Sequence, residues 1–256
     1  MTDSPLTVEH DRDGRLLRLR LARPKANIVD AAMIAALDAA LAGAADEAHL
    51  HGVLLEHEGP HFSFGASVEE HLPGRCAGML TALHGLVLRM LDYPVPILVA
   101  IGGQCLGGGL EVAASGHLLF AGPEARLGQP EISLAVFAPA GSCLLPERMP
   151  RAIAEDMLFS GRSLDAGQAR AAGLVNAVSD DPVGAALAYF DEHLAPHSAA
   201  SLRVAVRAAR ADMVRRVRAR LSEVEELYLS DLMSTHDAVA GLTGFLEKQP
   251  TAWEDR

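Results

Sequence analysis

Residues 105–111 read Cys-Leu-Gly-Gly-Gly-Leu-Glu and come just after the apolar run Pro96–Ile101. Glycine lets a backbone approach a ligand closely, so a triplet between a strand and a helix makes the amide N–H groups themselves candidate donors to an anionic oxygen. Glu111 falls in the first turn of the helix that starts at Gly108; taken alone, it reads as an exposed residue favoured by the helix dipole. Two further stretches accompany it. Phe62-Ser-Phe-Gly-Ala-Ser67 supplies a second glycine-associated segment about forty residues earlier, and Leu127-Gly-Gln-Pro-Glu131 a second carboxylate about twenty residues later.

Other patterns fail on physical grounds. His57-Glu-Gly-Pro-His61 spells H-E-x-x-H, but Gly59 and Pro60 break the helical turn that would put both rings on one metal, so the two histidines read as loop residues. The glycines at 102, 103, 107, 108 and 109 do not fit G-x-G-x-x-G, no G-K-[ST] follows, and no G-x-S-x-G occurs. Cys76, Cys105 and Cys143 stand singly, which indicates neither a disulfide framework nor a structural zinc site and makes a reducing cytoplasm the expected location.

The elements that must position these groups alternate between strand and helix. Leu6–His10 and Arg15–Leu21 flank Asp11-Arg-Asp-Gly14 and read as a hairpin. Asp30 is an N-cap for a helix, Gly52–Glu56 is a buried strand, a second helix covers 75–91, and the strand to Ile101 precedes the helix at Gly108. His117–Ala121 resumes extended structure. Beyond about residue 148 the spacing predicts helices over Ala152–Phe159, Asp165–Ala172, Pro182–Leu194, Ala199–Met213, Val214–Ser230 and His236–Glu247, with only Leu174–Val178 strand-like. This is an α/β pattern with a helical tail, without a usable sequence repeat.

The chain has 256 residues, half of them apolar, and a net charge of −11, which fits one substantial core and argues against a nucleic-acid surface. The arginine-rich stretch 203–220 alternates with apolar residues and reads as a solvated helix face. The polar opening 1–15 has no apolar h-region, so no secretory signal is expected, and no apolar stretch reaches the roughly 18 residues of a membrane span.

Six segments, in order, resemble the crotonase (enoyl-CoA hydratase/isomerase) superfamily: residues 22–27, 61–67, 94–113, 125–134, 158–178 and 241–248. The resemblance implies a spiral of ββα units over 1–195, a C-terminal helical trimerisation region over 196–256, and a homotrimer or a homohexamer built as a dimer of trimers. It places an oxyanion hole on the backbone N–H groups of Ala66 and Gly108, where a thioester carbonyl gains negative charge as its enolate forms. Glu111 and Glu131 fall on the two glutamates of the family's hydratases, with the division of acid and base between them left open. The partner is an acyl-CoA thioester; no resident cofactor or metal is implied, because coenzyme A belongs to the substrate. Arg23, Lys25, Phe245 and Lys248 fall where the family contacts CoA, and Lys25 and Lys248 are the only lysines of the chain, which reads either as phosphate contacts or as ordinary surface residues.

Within the superfamily, residues 62–74 and 127–149 resemble the branch that hydrates cyclohexa-1,5-diene-1-carbonyl-CoA in anaerobic aromatic degradation. Gly65-Ala66-Ser67 replaces the usual G-A-D, and Ala138–Cys143 departs from the usual P-G-A-G-G-T-Q-R-like segment. These departures favour a compact ring against Phe62, Phe64, Ser67, Val136 and Phe137 over a linear enoyl chain. A general enoyl-CoA hydratase or isomerase is the nearest alternative, and a non-catalytic assembly or RNA-associated protein the alternative of another class.

Overall fold

The alternation of the first twenty residues closes on itself. β1 (Leu6–Asp11) and β2 (Leu16–Leu21) pair antiparallel, and Arg12, Asp13 and Gly14 take positive φ in the turn between them. The computed structural model describes residues 4–256; the first three residues of the polar opening, which belong to the stretch read for a leader and to the 1–195 unit, lie outside the described residues.

From β2 onward one unit recurs: a strand of a large sheet, a short extended segment of a second layer, then a helix. Asp30 caps α1 (Ala31–Ala44) by accepting the Met33 N–H at 2.9 Å. β3 (Gly52–His57) is followed by α2 (Cys76–Leu91), and β4 (Ile97–Ile101) by β5 (Gln104–Leu106) and α3 (Gly108–Ser115). β6 (Leu118–Ala121) is followed by β7 (Arg126–Gly128) and α4 (Pro139–Arg148). Isolated bridges from Val29 to Ala66 and from Ser63 to Cys105 mark the second layer in the earlier turns, where no full strand forms. α5 (Arg151–Ser160), β8 (Ser163–Asp165), α6 (Ala166–Ala171), β9 (Ala177–Val178) and α7 (Pro182–His193) complete the winding. The large sheet runs β1-β2-β3-β4-β6-β9, parallel throughout except for the first pair, and the small sheet runs β5-β7-β8. This is the α/β architecture expected, with the repeat carried by structure rather than by sequence.

The central strands are buried on both faces, as parallel sheets require. Ile97, Val99 and Ile101 point into the main core, while Leu98 and Ala100 join Leu16, Leu54 and Phe120 under Phe190 of α7. Fully burying each such leucine or phenylalanine is worth about 1.5–3 kcal/mol.

The tail departs from expectation in one respect. Residues 199–226 form a single helix, α8 (Ala199–Glu226), not two, and it continues through a π turn at Leu227–Asp231 before α9 (His236–Glu247). α8 packs on α2 and α4 through Val214, Val217 and Leu221. Its arginines are not simply solvated. Arg203 donates to the carbonyls of Ala45 and Glu47 beyond α1, and Arg210 to those of Ser115 and Gly116 at the end of α3, where a cation meets the negative pole of each helix. Only Ala177 and Val178 of the 174–178 stretch pair as strand, and α4 was not anticipated.

One buried side chain stitches the loop that leads into the second layer. Asn27, fully buried, donates from Nδ2 to the carbonyls of Glu58 and His61 and accepts the Arg23 N–H on Oδ1. Asn27→Ala leaves those groups unpaired inside the protein and is expected to cost about 2–4 kcal/mol in urea unfolding, against less than about 0.5 kcal/mol for an exposed control such as Glu9→Gln.

Candidate active site

The glycine triplet is explained by what each residue faces. Gly107 takes φ 52° and ψ −132°, and a Cβ there would stand 2.8 Å from Glu131 Oε1. A Cβ on Gly108 would stand 2.9 Å from the Ala66 Cβ, and one on Gly109 would stand 2.6 Å from the Ser63 Cβ. A side chain at Gly108 or Gly109 would push the two turns apart, and one at Gly107 would crowd the Glu131 carboxyl. The partner turn is held in place by Ser63, whose hydroxyl donates to the Asn27 carbonyl at 2.8 Å and accepts the Gly65 N–H at 3.1 Å. The Ala66 N–H and the Gly108 N–H, the latter at the start of α3, have no protein acceptor among the described residues. Two free donors therefore stand side by side at a helix N-terminus.

Glu111 and Glu131 line the same cavity as those amides, about 80 Å³ of water-sized space. Glu111 is buried, and its Oε1 accepts the Gly141 N–H at 2.7 Å. Glu131 is half-buried as a residue, but its Oε2 is out of solvent and has no partner. Burial raises the proton affinity of both. For Glu131, burial and then the neighbouring Glu111 charge push the pKa up to about 8 against its own backbone N–H; for Glu111, burial also raises the pKa and is opposed in part by the Gly141 N–H, by His84 and by the Ala140 N–H. The two carboxyls titrate as a pair in unequal surroundings.

Phe64, Val136 and Phe137 line the cavity with them. Phe62 does not: it is fully buried and packs edge-on to His57, so it belongs to the core. Ser67 also stays out of the lining, and its carbonyl accepts the Nδ1–H of His71 at 2.7 Å. Arg23, Lys25, Phe245 and Lys248 are exposed and outside the cavity. Arg23 is paired with Asp30, while Lys25 and Lys248 hold positive φ of 88° and 56°. A larger groove of about 630 Å³ lies between α8 and the Leu91–Pro94 turn, away from the carboxylates.

Three residues near the site were not singled out by sequence. His71 lines the cavity; Tyr228, carried inward by the π turn, packs on His71 and Phe137 with its hydroxyl buried and unpartnered; His84 on α2 hydrogen-bonds Glu225 on α8. A lone histidine on an apolar helix face or a lone tyrosine in a helical tail carries no pattern that would have flagged it. His57 and His61 prove to be acceptors for the backbone N–H groups of Gly102 and Gln104, with His57 ending β3 rather than lying in a loop. No cluster of potential metal ligands occurs among the described residues, and no described helix is long and apolar enough to cross a membrane.

The sequence profile described as enoyl-CoA hydratase/isomerase matches residues 11–256. The chain is 63% identical over 253 residues to cyclohexa-1,5-dienecarbonyl-CoA hydratase of Thauera aromatica, covering 99% of this chain and 98% of that protein. It is 31% identical to 2,3-dehydroadipyl-CoA hydratase of Escherichia coli (strain K12), covering 96% and 97%. Among solved structures, an enoyl-CoA hydratase/isomerase from Pseudoalteromonas atlantica T6c superposes with a TM-score of 0.83 at 25% identity, over 97% of this chain and 99% of that one.

The raised pKa of Glu131 has a consequence for stability. Between its ordinary value of 4.5 and about 8, the unfolded chain releases this proton while the folded chain keeps it, so this group's contribution to stability falls as pH rises through that window. Glu131→Gln removes this titrating proton. Urea unfolding is expected to place the variant level with the parent at pH 4 and up to about 4 kcal/mol above it at pH 8.

Proposed function

Since the chain belongs to the enoyl-CoA hydratase/isomerase family, we propose that it hydrates cyclohexa-1,5-diene-1-carbonyl-CoA to 6-hydroxycyclohex-1-ene-1-carbonyl-CoA, a step in aromatic degradation. The enzyme is a hydro-lyase. The observation that carries the reading to named residues is the meeting, in one cavity, of two unpaired amides and two carboxyls of unequal surroundings.

The thioester oxygen accepts hydrogen bonds from the Ala66 and Gly108 N–H groups. Its charge grows as the dienolate forms, so donors already fixed in place favour the transition state over the ground state. Glu111, with one oxygen held by the Gly141 N–H, is the base: it takes a proton from water as the water oxygen bonds to the carbon β to the thioester. Glu131, whose affinity keeps it protonated at neutral pH, delivers its proton to the far end of the conjugated system. One water is added and one double bond lost; a proton passing from Glu111 back to Glu131 restores the starting state. No resident cofactor takes part in this scheme.

Phe64, Val136 and Phe137 flank the ring. A narrow cavity suits a flat, compact acyl group. Lys25 serves the CoA phosphates, and Phe245 and Lys248 the adenine end, from a homotrimer or a dimer of trimers in the cytoplasm. Lys25 suits that part because the next residue, Ala26, accepts the Phe64 N–H at 2.9 Å, tying its loop to the oxyanion turn. Arg23, engaged by Asp30, contributes by fixing that loop.

Mass spectrometry for gain of one water on a panel of unsaturated CoA thioesters tests the assignment. The cyclic diene is expected to be hydrated well ahead of crotonyl-CoA; the reverse order would return the enzyme to linear substrates. Glu111→Gln and Glu131→Gln are each expected to lose at least about 10³-fold in kcat, and normal turnover in both would sink the two-carboxyl scheme. Lys25→Met is expected to raise KM with kcat held, and an unchanged KM removes Lys25 from the CoA site.

A further inference from the structure

His84 is an ionisable residue that the hydration scheme does not use, and its surroundings are unusual for a core histidine. Its side chain is 4% exposed, in the helix face that also carries Leu80 and Leu83 into the cavity wall. Nδ1 donates to Glu225 Oε2 at 2.5 Å, and Glu225, 26% exposed, connects that end of the ring to the surface of α8. The two ring nitrogens lie on opposite sides of an imidazole, so anchoring Nδ1 outward aims Nε2 inward, where it is buried with no protein partner. The helices place it suitably: α2 packs on α3, which carries Glu111, and on α8, which carries Glu225.

We infer that His84 and Glu225 form a positioning pair that presents a positive charge, balanced on its outer side, to the inner carboxylate Glu111 and so keeps Glu111 in the ionised form a base requires. The inference rests on Glu111 acting as the base. It accounts for how two buried carboxyls sharing one cavity take opposite parts: Glu111 has a backbone donor on Oε1 and the His84 imidazole within electrostatic reach, whereas the free oxygen of Glu131 has no partner. A cation near a carboxylate commonly lowers its pKa by about one unit or more, and His84 acts on Glu111 in that direction. Tyr228 and Cys143 lie within electrostatic reach of Glu111, and Tyr228 of Glu131 as well. Cys76, on α2 itself, lies within reach of Glu225, and α8 brings Arg220 and Glu223 towards Cys143. Burial and nearby carboxylates raise the pKa of the thiols and of the phenol, so they stay neutral, and Glu225 is the carboxylate in direct contact with the ring.

Two measurements test the pair. In a Glu131→Gln background, which isolates Glu111, carbon-13 NMR of labelled glutamate follows the Glu111 titration directly. His84→Gln is expected to raise its midpoint by about one pH unit, and Glu225→Gln to raise it by less. In the enzyme with Glu131 intact, the acidic limb of the kcat profile is expected to move up by a similar amount, with KM unchanged and the loss largely recovered at higher pH. An unmoved Glu111 midpoint in both variants overturns the inference, as does a loss of rate that is uniform across pH, the signature of damaged packing. Glu225→Gln alters only the partly exposed end, so it keeps the test open if His84→Gln folds poorly. The NMR titration needs no turnover, so failure of the hydration reading and failure of this one are told apart.

Discussion

Two backbone turns pass within van der Waals contact of each other, Ala66 against Gly108, and the rest of the molecule is arranged so that they can. The contact is possible only because Gly108 lacks a Cβ, and it is maintained because each turn is tied down elsewhere. Ser63 fastens the Ala66 turn to Asn27, and the Gly107 N–H donates to the Gly128 carbonyl at 2.9 Å, joining the other turn to β7. The small second sheet therefore has a definite task. Each of its three-residue strands puts one side chain, Cys105, Leu127 or Leu164, into the core, and the hydrogen bonds of β5 to β7 and of Ser63 to Gln104 and Leu106 set the spacing of the two amides. Donors held by a scaffold need no reorganisation when charge appears between them, which is the condition under which backbone amides are most effective.

The same close approach brings the acids together. Gly107 leaves room for Glu131 Oε1, and α4 turns the Gly141 N–H onto Glu111, so the residues that shape the donor pair also fix the carboxyls. Bringing two carboxyls into one buried space is costly if both are ionised, and the structure resolves the conflict by asymmetry rather than by distance. Two backbone donors and the imidazole act on Glu111, and only its own backbone N–H acts on Glu131. Glu131 is left to hold a proton, and a carboxylic acid that stays protonated near pH 7 is the kind of acid that proton delivery to carbon requires.

Much of this could be read from the sequence because local chemistry and tertiary position agree. Asp-Gly after alternating residues gives the hairpin, Asp30 gives the start of α1, and the glycine run gives the turn before α3. The failures have physical causes too. α4 contains Pro139, Gly141 and Pro146, a composition that argues against helix; packing imposes the helix, and Gly141 is tolerated because any side chain there would strike Gln129. The strands of the second sheet are too short for any periodicity to register. Phe62 and Phe64 looked alike as apolar residues, but a two-residue offset across a bent segment sends one into the core and leaves the other 44% exposed at the cavity. His84 and Glu225 lie 141 residues apart, so only the docking of α8 on α2 brings them together.

α8 then does more than cover a core. Near its start Arg203 closes the end of α1, near its middle Arg210 closes the end of α3, near its end Glu225 meets His84, and the π turn beyond it delivers Tyr228. A π turn inserts a residue and rotates the chain beyond it, and here the rotation is what points Tyr228 at His71 and Phe137 instead of along the outer face. The Arg210 clamp acts on the C-terminus of the helix whose N-terminus carries the Gly108 donor. α3 is only eight residues long, so fixing one end fixes the aim of the other. A helix with few buried side chains of its own is thereby joined by polar contacts to the elements around the cavity, while Val214, Val217 and Leu221 hold it on α2 and α4.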